Sequence, residues 1–356
     1  MMEKKLLLIS FMFVLGSILG ACATIKSEPG SPLTFEIPDK EIPFSEEGPY
    51  DQSVLLNVYY VDPKRDDREV SIFINYPSVD DQPDLRGAPF PLILSDHMMA
   101  TMFGSHLASH GFVVVGLNVP LNLPESDEVI HQPLDYIFVI NQLTENPPGP
   151  LTGLIDTDHV GYWGYSGGGR VSLTLAGAQI DPNHYFEYCK NPENFEIDYG
   201  ENDLEWICKP YENWDELIEA ANATFLKTEE GLWKPMKDER ILATISMSSG
   251  GEWLFGPDGL AQVDKAVLVT AGTNEGARYG DCYRTFEELG TSEKSFISFV
   301  GQDHMMIGQV TVKRQLRHMV IAFFSYYLKG KEEYRQYFSQ DYISQIEGLA
   351  WGWYEE

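Results

Sequence analysis

The chain has 356 residues, with 54 acidic against 25 basic side chains and a formal net charge of −29. A surface so acidic repels nucleic acid and anionic membranes, and no basic patch interleaved with aromatics argues for nucleic-acid binding. The length suits one large α/β domain with insertions. No Cys/His spacing reads as a zinc site, and no cofactor is implied.

The N-terminus reads as a leader. Lys4 and Lys5 form a positive stretch, and Leu6 to Leu19 is an apolar run too short to span a membrane comfortably. It ends Leu19-Gly20-Ala21-Cys22. Small residues before a Cys at the end of such a segment resemble the lipobox of bacterial lipoproteins. The resemblance implies removal of residues 1–21, acylation of Cys22 and a lipid-anchored protein of the bacterial cell envelope. Ala23, rather than Asp, follows the Cys, which favours the outer membrane in a two-membrane cell. Residues 22–50, rich in Pro, Ser, Glu and Gly, read as a flexible tether, and 51–356 as the folded domain.

Two strands are expected over 54–61 and 69–76, antiparallel, with Arg65-Asp66-Asp67-Arg68 in the turn. Phe90 to Ser95 is a short apolar strand, 103–110 a helix, and 112–117 an unbroken apolar run that reads as a buried strand. Residues 134–143 carry the helical period, and Val160 to Gly164 is the next strand.

That strand runs into Gly164-Tyr165-Ser166-Gly167-Gly168, followed by the apolar helical run from Arg170 to Ala176. A Ser at the tip of a sharp strand-to-helix turn is held in a strained conformation, so small residues must flank it. The helix N-terminus then aims free N–H groups at a developing oxyanion. A phosphate-binding loop would need Gly-Lys-Ser/Thr here, and there is no Lys. A dinucleotide fingerprint belongs on the first strand, not in mid-chain.

Residues 180–238, rich in Asn, Glu, Tyr, Trp and Pro, break the pattern and read as a cap-like insertion, with 215–225 helical. Its Tyr185, Tyr188, Trp206, Tyr211 and Trp214 either wall an apolar pocket or pack the insertion on the core. Cys189 and Cys208 lie within it. An exported chain meets an oxidising compartment, so these two are expected to pair, closing a loop of about 20 residues at roughly 3 kcal/mol. Cys282 is then left over.

Strands resume at Ile241 to Met247, Ala266 to Gly272 and, as the last, Ser295 to Val300, before an apolar-faced helix over 315–327. The alternation predicts an α/β fold with a mostly parallel central sheet, helices on both faces and a site at the strands' carboxyl ends.

A Ser nucleophile needs a base within reach and a group to orient it. His304 sits in the loop after the last strand. His97 and His159 precede the Ser, His106 and His110 lie on or beside a helix, and His318 falls inside the last one. Gly272-Thr273-Asn274-Glu275 directly follows the penultimate strand, making Glu275 the expected acid and Asp281 the alternative. The oxyanion donors are expected from Gly167 N–H and from the loop Ser95-Asp96-His97-Met98-Met99. There Met98 is preferred and His97 is the alternative.

Residues 85–330 resemble bacterial α/β-hydrolases of the dienelactone-hydrolase-like group, related to platelet-activating-factor acetylhydrolases and polyester-cleaving cutinases. The likeness rests on Gly111-Phe112-Val113-Val114, Gln132-Pro133-Leu134-Asp135, the Ser166 turn, Gly272-Thr273-Asn274-Glu275 and Asp303-His304. Ser95-Asp96-His97 stands where that group has Ser-His-Gly, and Tyr165 where it has His. The resemblance implies an α/β-hydrolase fold and a serine esterase cleaving small-molecule or lipid esters. An amidase or peptidase with the same triad, or an idle surface-anchored binding protein, are the other classes the chain permits.

Overall fold

The computed structural model describes residues 32–33, 41–119, 127–197 and 199–355. The expected leader, Cys22 and most of the expected tether lie outside them.

The described residues form one ten-stranded sheet in the order β1-β2-β5-β4-β6-β7-β8-β9-β10, with β3 paired to β2. Strands β1 (Asp51–Asp62) and β2 (Arg68–Val79) form the antiparallel hairpin, and β3 (Gln82–Pro83) extends it. Next come β4 (Phe90–Ser95), helix α1 (His97–Ser109), β5 (Val113–Leu117), α2 (Gln132–Glu145), β6 (Ile155–Tyr165) and α3 (Gly167–Leu175). The insertion carries α4 (Pro182–Lys190), α5 (Glu201–Ile207), α6 (Lys209–Glu212) and α7 (Trp214–Ala223). The chain closes with β7 (Ile241–Met247), α8 (Glu252–Leu260), β8 (Ala266–Gly272), α9 (Ala277–Glu288), β9 (Lys294–Phe299), α10 (Val310–Lys329), α11 (Gln340–Ile343) and β10 (Leu349–Trp351). Strands β4 to β9 pair parallel among themselves, whereas β5 meets β2 antiparallel.

Alternation along the buried strands divides the core into two faces. Ile93, Val114, Trp163, Ile245 and Leu268 meet Phe103 of α1 and Phe323 of α10. Leu92, Leu94, Val113, Val115 and Tyr162 meet Tyr136 and Val139 of α2 and Leu175 of α3. The polar hairpin turn is pinned to α2, because Arg65 and Arg68 both reach Asp135, at 2.7 and 2.9 Å.

Three expectations need correction. Residues 41–50, expected within the tether, pack on the fold. Phe44 is fully buried, stacked between His318 at 5.3 Å and Tyr334 at 4.8 Å, and its carbonyl accepts from His106 Nε2 at 2.8 Å. Farther upstream, Leu33 N–H donates to the Tyr50 hydroxyl at 3.0 Å, and Tyr50 packs edge-on against Phe90 at the amino end of β4. The strand over 294–299 is not the last. The chain returns so that β10 pairs antiparallel with it, and three residues are too few to show alternation. Finally, α8 and α9 were not anticipated, since Gly256 and Pro257 interrupt α8 and hide its period.

Cys189 and Cys208 are disulfide-bonded as expected, and Cys282 is free and buried. Tyr185 and Tyr188 are buried, so these two pack the insertion rather than wall a pocket. The Tyr185 hydroxyl donates to Ile207 O and accepts from Tyr211 N–H, both at 3.0 Å. Trp206 and Tyr211 remain exposed.

Candidate active site

The parallel strands deliver their carboxyl ends to one rim, where β6 turns sharply into α3. Ser166 sits at that turn with φ 53° and ψ −119°, a conformation rare for any residue with a side chain and worth about 1–3 kcal/mol of local strain. The surroundings over-determine it. Ser166 N–H donates to Met247 O at 2.9 Å, and Tyr165 N–H to Asp96 Oδ2 at 2.7 Å. A Cβ at Gly164 would strike the Gly168 carbonyl, and one at Gly169 would strike Ser249. The turn closes only with small residues on both sides.

His304 comes from the loop after β9. Its Nε2 lies 3.2 Å from Ser166 Oγ and its Nδ1 2.9 Å from Glu275 Oε2. The Glu275 side chain has no exposed surface, whereas the imidazole is 29 % exposed. The other carboxylate oxygen, Oε1, accepts from Ser248 Oγ and from Gly272 N–H, both at 2.7 Å. The loops carrying base and acid are tied directly. Asn274 N–H donates to Gln302 O at 2.8 Å, and Gly301 N–H to Thr273 Oγ1 at 2.8 Å. Tyr165 stacks on the imidazole, ring centroids 5.0 Å apart, which restricts its swing. Burial, and then the Glu275 charge, push the Tyr165 phenol up, so it stays neutral.

Asp281 is not brought to His304, which corrects it as the alternative acid. Its buried carboxylate accepts from Gly251 N–H and Glu252 N–H at 3.2 Å, satisfying the amino end of α8, and from the Tyr199 hydroxyl at 2.7 Å. Burial pushes this carboxyl up to about 6. It is a structural junction between α8, α9 and the insertion.

Gly167 is the first residue of α3, so its N–H lies outside the helical ladder beside the Ser. The second oxyanion donor is expected from Met98 or His97. Asp96 caps α1, accepting from Met99 N–H at 2.9 Å. Met98 is the second residue of α1 and His97 the first. The His97 ring Nδ1 is fixed on Leu117 O at 3.0 Å. Burial pushes the Asp96 carboxyl up to about 6, against the N–H groups that pull it down.

One wall of the site carries charges that the sequence did not single out. Glu128 lies against Gly167, its carboxylate filling the space a side chain there would take, and pairs with Arg170. The buried Arg170 guanidinium lies over Trp206 at 4.7 Å and Trp253 at 5.4 Å. Burial, followed by the nearby charge of Arg278, brings Arg170 down to about 10. Ser248 and Asp96 were also missed as supports. Asp96 is the residue that displaces the family-like His after Ser95, and that departure was the available signal.

The other histidines are engaged elsewhere. His110 and His318 are buried against the carbonyls of Glu46 and Tyr337, and His159 pairs with Asp156. The arrangement at Ser166 therefore holds a hydroxyl, an imidazole and a buried carboxylate in one line of hydrogen-bond contacts. It can relay a proton off the hydroxyl and stabilise the imidazolium that results. No protein-family model matches the chain, and a search of curated proteins finds no significant relative.

Proposed function

We propose that this protein is a serine hydrolase of α/β-hydrolase type that cleaves carboxylic esters through an acyl-enzyme. The observation that carries the reading is His304, set between Ser166 Oγ at 3.2 Å and Glu275 Oε2 at 2.9 Å, with the Ser at positive φ on a strand-to-helix turn. The strand order, with the parallel run preceded by an antiparallel hairpin, agrees with that fold type.

Ser166 Oγ bonds to the ester carbonyl carbon while its proton passes to His304 Nε2. Glu275 holds the Nδ1–H tautomer and faces the imidazolium. Gly167 N–H, with a second donor from the His97–Met98 turn, receives the oxyanion, each donor being worth about 10²–10³ in rate. The carbon–oxygen bond to the alcohol breaks, and the Nε2 proton leaves with the alcohol. Water then attacks the acyl carbon, gives its proton to Nε2, and the acid departs as Ser166 regains its hydrogen. The exposed Trp206 supplies an apolar surface beside this centre.

The Leu19-Gly20-Ala21-Cys22 end of the leader supports lipid anchoring at the bacterial cell envelope, with substrates met there. A fluorophosphonate probe should label wild-type protein at Ser166 and spare His304→Ala, and matched ester and anilide substrates should show turnover of the ester. An unreactive Ser166 would reduce the chain to a binding protein on this scaffold, and faster anilide cleavage would make it an amidase.

A further inference from the structure

Gly167 and Arg170 stand three positions apart at the start of α3, so they share one side of its first turn. Glu128, from the turn of helix that leads into α2, lies against that side and meets both. A side-chain carbon at Gly167 would stand 2.8 Å from Glu128 Oε1 and 3.1 Å from Oε2. That point is two bonds from the N–H on which the oxyanion depends. Oε1, the oxygen nearer Gly167, is also the one that Arg170 Nη2 holds. The guanidinium is fixed in its turn, lying over Trp206 at 4.7 Å and Trp253 at 5.4 Å. Its side chain is 7 % exposed, against 35 % for Glu128.

A carboxylate has the wrong charge for this place. The tetrahedral intermediate puts a negative oxygen on Gly167 N–H, and a bare carboxylate beside it would repel that oxygen, most strongly where water is partly excluded. A carboxylate left without a partner would also accept from any free N–H in reach, and Gly167 offers one. The cation that Arg170 lays on Oε1 answers both problems. We propose that Arg170 is a positioning residue for the reaction, which draws the Glu128 carboxylate onto its guanidinium and covers its charge, so that Gly167 N–H is left to the oxyanion. The inference rests on the ester-hydrolase reading above and adds a residue that acts through Gly167.

The test is a double-mutant cycle on kcat and KM for a neutral ester, 4-nitrophenyl butyrate, with fluorophosphonate labelling and a thermal melt for each variant. Arg170→Met removes the cation and keeps an apolar stem between the two tryptophans. It should lower kcat about 10²-fold with KM within about threefold, the scale of one oxyanion donor. Adding Glu128→Gln removes the charge that is no longer covered, and should return at least about tenfold of that loss. Arg170→Lys, a cation without the planar fork, should keep more activity than Arg170→Met. A trifluoromethyl ketone, whose adduct with Ser166 carries the oxyanion, should weaken in Arg170→Met in step with kcat and recover in the double variant. If Arg170→Met does not fold, Arg170→Gln, which still offers Glu128 a donor, takes its place in the cycle. A kcat within about threefold of wild type in the charge-removing variant overturns this inference alone. A loss that Glu128→Gln fails to relieve also overturns it, and leaves Arg170 as packing for the two tryptophans. No ester turnover by wild type, with Ser166 inert to fluorophosphonate, overturns the ester-hydrolase reading and this inference with it.

Discussion

Ser248 and Glu275 meet across the ends of β7 and β8, where Ser248 Oγ donates to Glu275 Oε1 at 2.7 Å. His304 occupies the opposite oxygen of the same carboxylate at 2.9 Å. Ser248 is fully buried and holds φ 53°, so the hydroxyl is aimed by a fixed backbone. Ser248→Ala should therefore lower kcat about tenfold with KM nearly unchanged, the value of one hydrogen bond to a charged group. Ser248→Gly, which suits the backbone better but also lacks the hydroxyl, should show the same kinetic loss. A normal kcat in both would mean that Gly272 N–H alone fixes the acid.

Ser166 trades stability for placement. Ser166→Gly should abolish turnover, by at least about 10³-fold, and raise unfolding stability by about 1 kcal/mol as the positive-φ strain is released. Ser166→Ala should lose the same activity without that gain. Denaturant midpoints of the three proteins measure the difference, and an unstabilised Ser166→Gly would mean that the turn is not strained.

Glu275→Gln keeps the shape but removes the charge that faces the imidazolium, and should cost up to about 10⁴-fold in kcat. Asp281→Asn should stay within about tenfold in kcat. It should instead lose thermal stability, because the Asp281 carboxylate holds Gly251, Glu252 and Tyr199 together. Measured side by side, a crippled Asp281→Asn with a stable fold would contradict this division of roles.

His318 should make stability pH-dependent. Burial holds its imidazole down to about 4, below the value near 6.5 expected in the unfolded chain. Its contribution is intact above about pH 6.5 and is lost as pH falls toward 4, because the unfolded state binds the proton first. That amounts to about 2 kcal/mol between pH 7 and 5. His318→Phe preserves the stack with Phe44 and Tyr342, and should resemble wild type at pH 7 but exceed it at pH 5. Parallel pH curves for the two proteins would refute the assignment.

Cys22→Ser should abolish incorporation of radiolabelled palmitate and shift the protein out of the membrane fraction, since serine offers no thiol to acylate. A mutant that still carries label would exclude the lipobox reading.

The alternation of apolar strands with helical runs made the central sheet legible, because buried parallel strands cannot avoid long apolar stretches. Ser166, Glu275 and His304 were legible for a related reason, since each directly follows a strand and the fold leaves little freedom in where a strand end points. The support beneath the Ser166 turn was not. Asp96 caps α1 with one oxygen and accepts from Tyr165 N–H with the other, a side-chain choice that spacing does not encode. Glu128 and Arg170 were hidden because they meet across 42 residues of chain. Phe44 was hidden in a Pro- and Glu-rich stretch, where composition argued for solvent and one aromatic ring between His318 and Tyr334 decided otherwise.

The contact of Leu33 with Tyr50, and of Tyr50 with Phe90, has a consequence for how the molecule is handled. The N-terminal segment joins the fold at the amino end of β4, and Asp96 beneath Ser166 follows the carboxyl end of the same strand. The length of β4 separates the two. A resin or sensor chip coupled through the N-terminus would therefore grip the molecule at its base and leave the Ser166 rim turned toward the bulk solution.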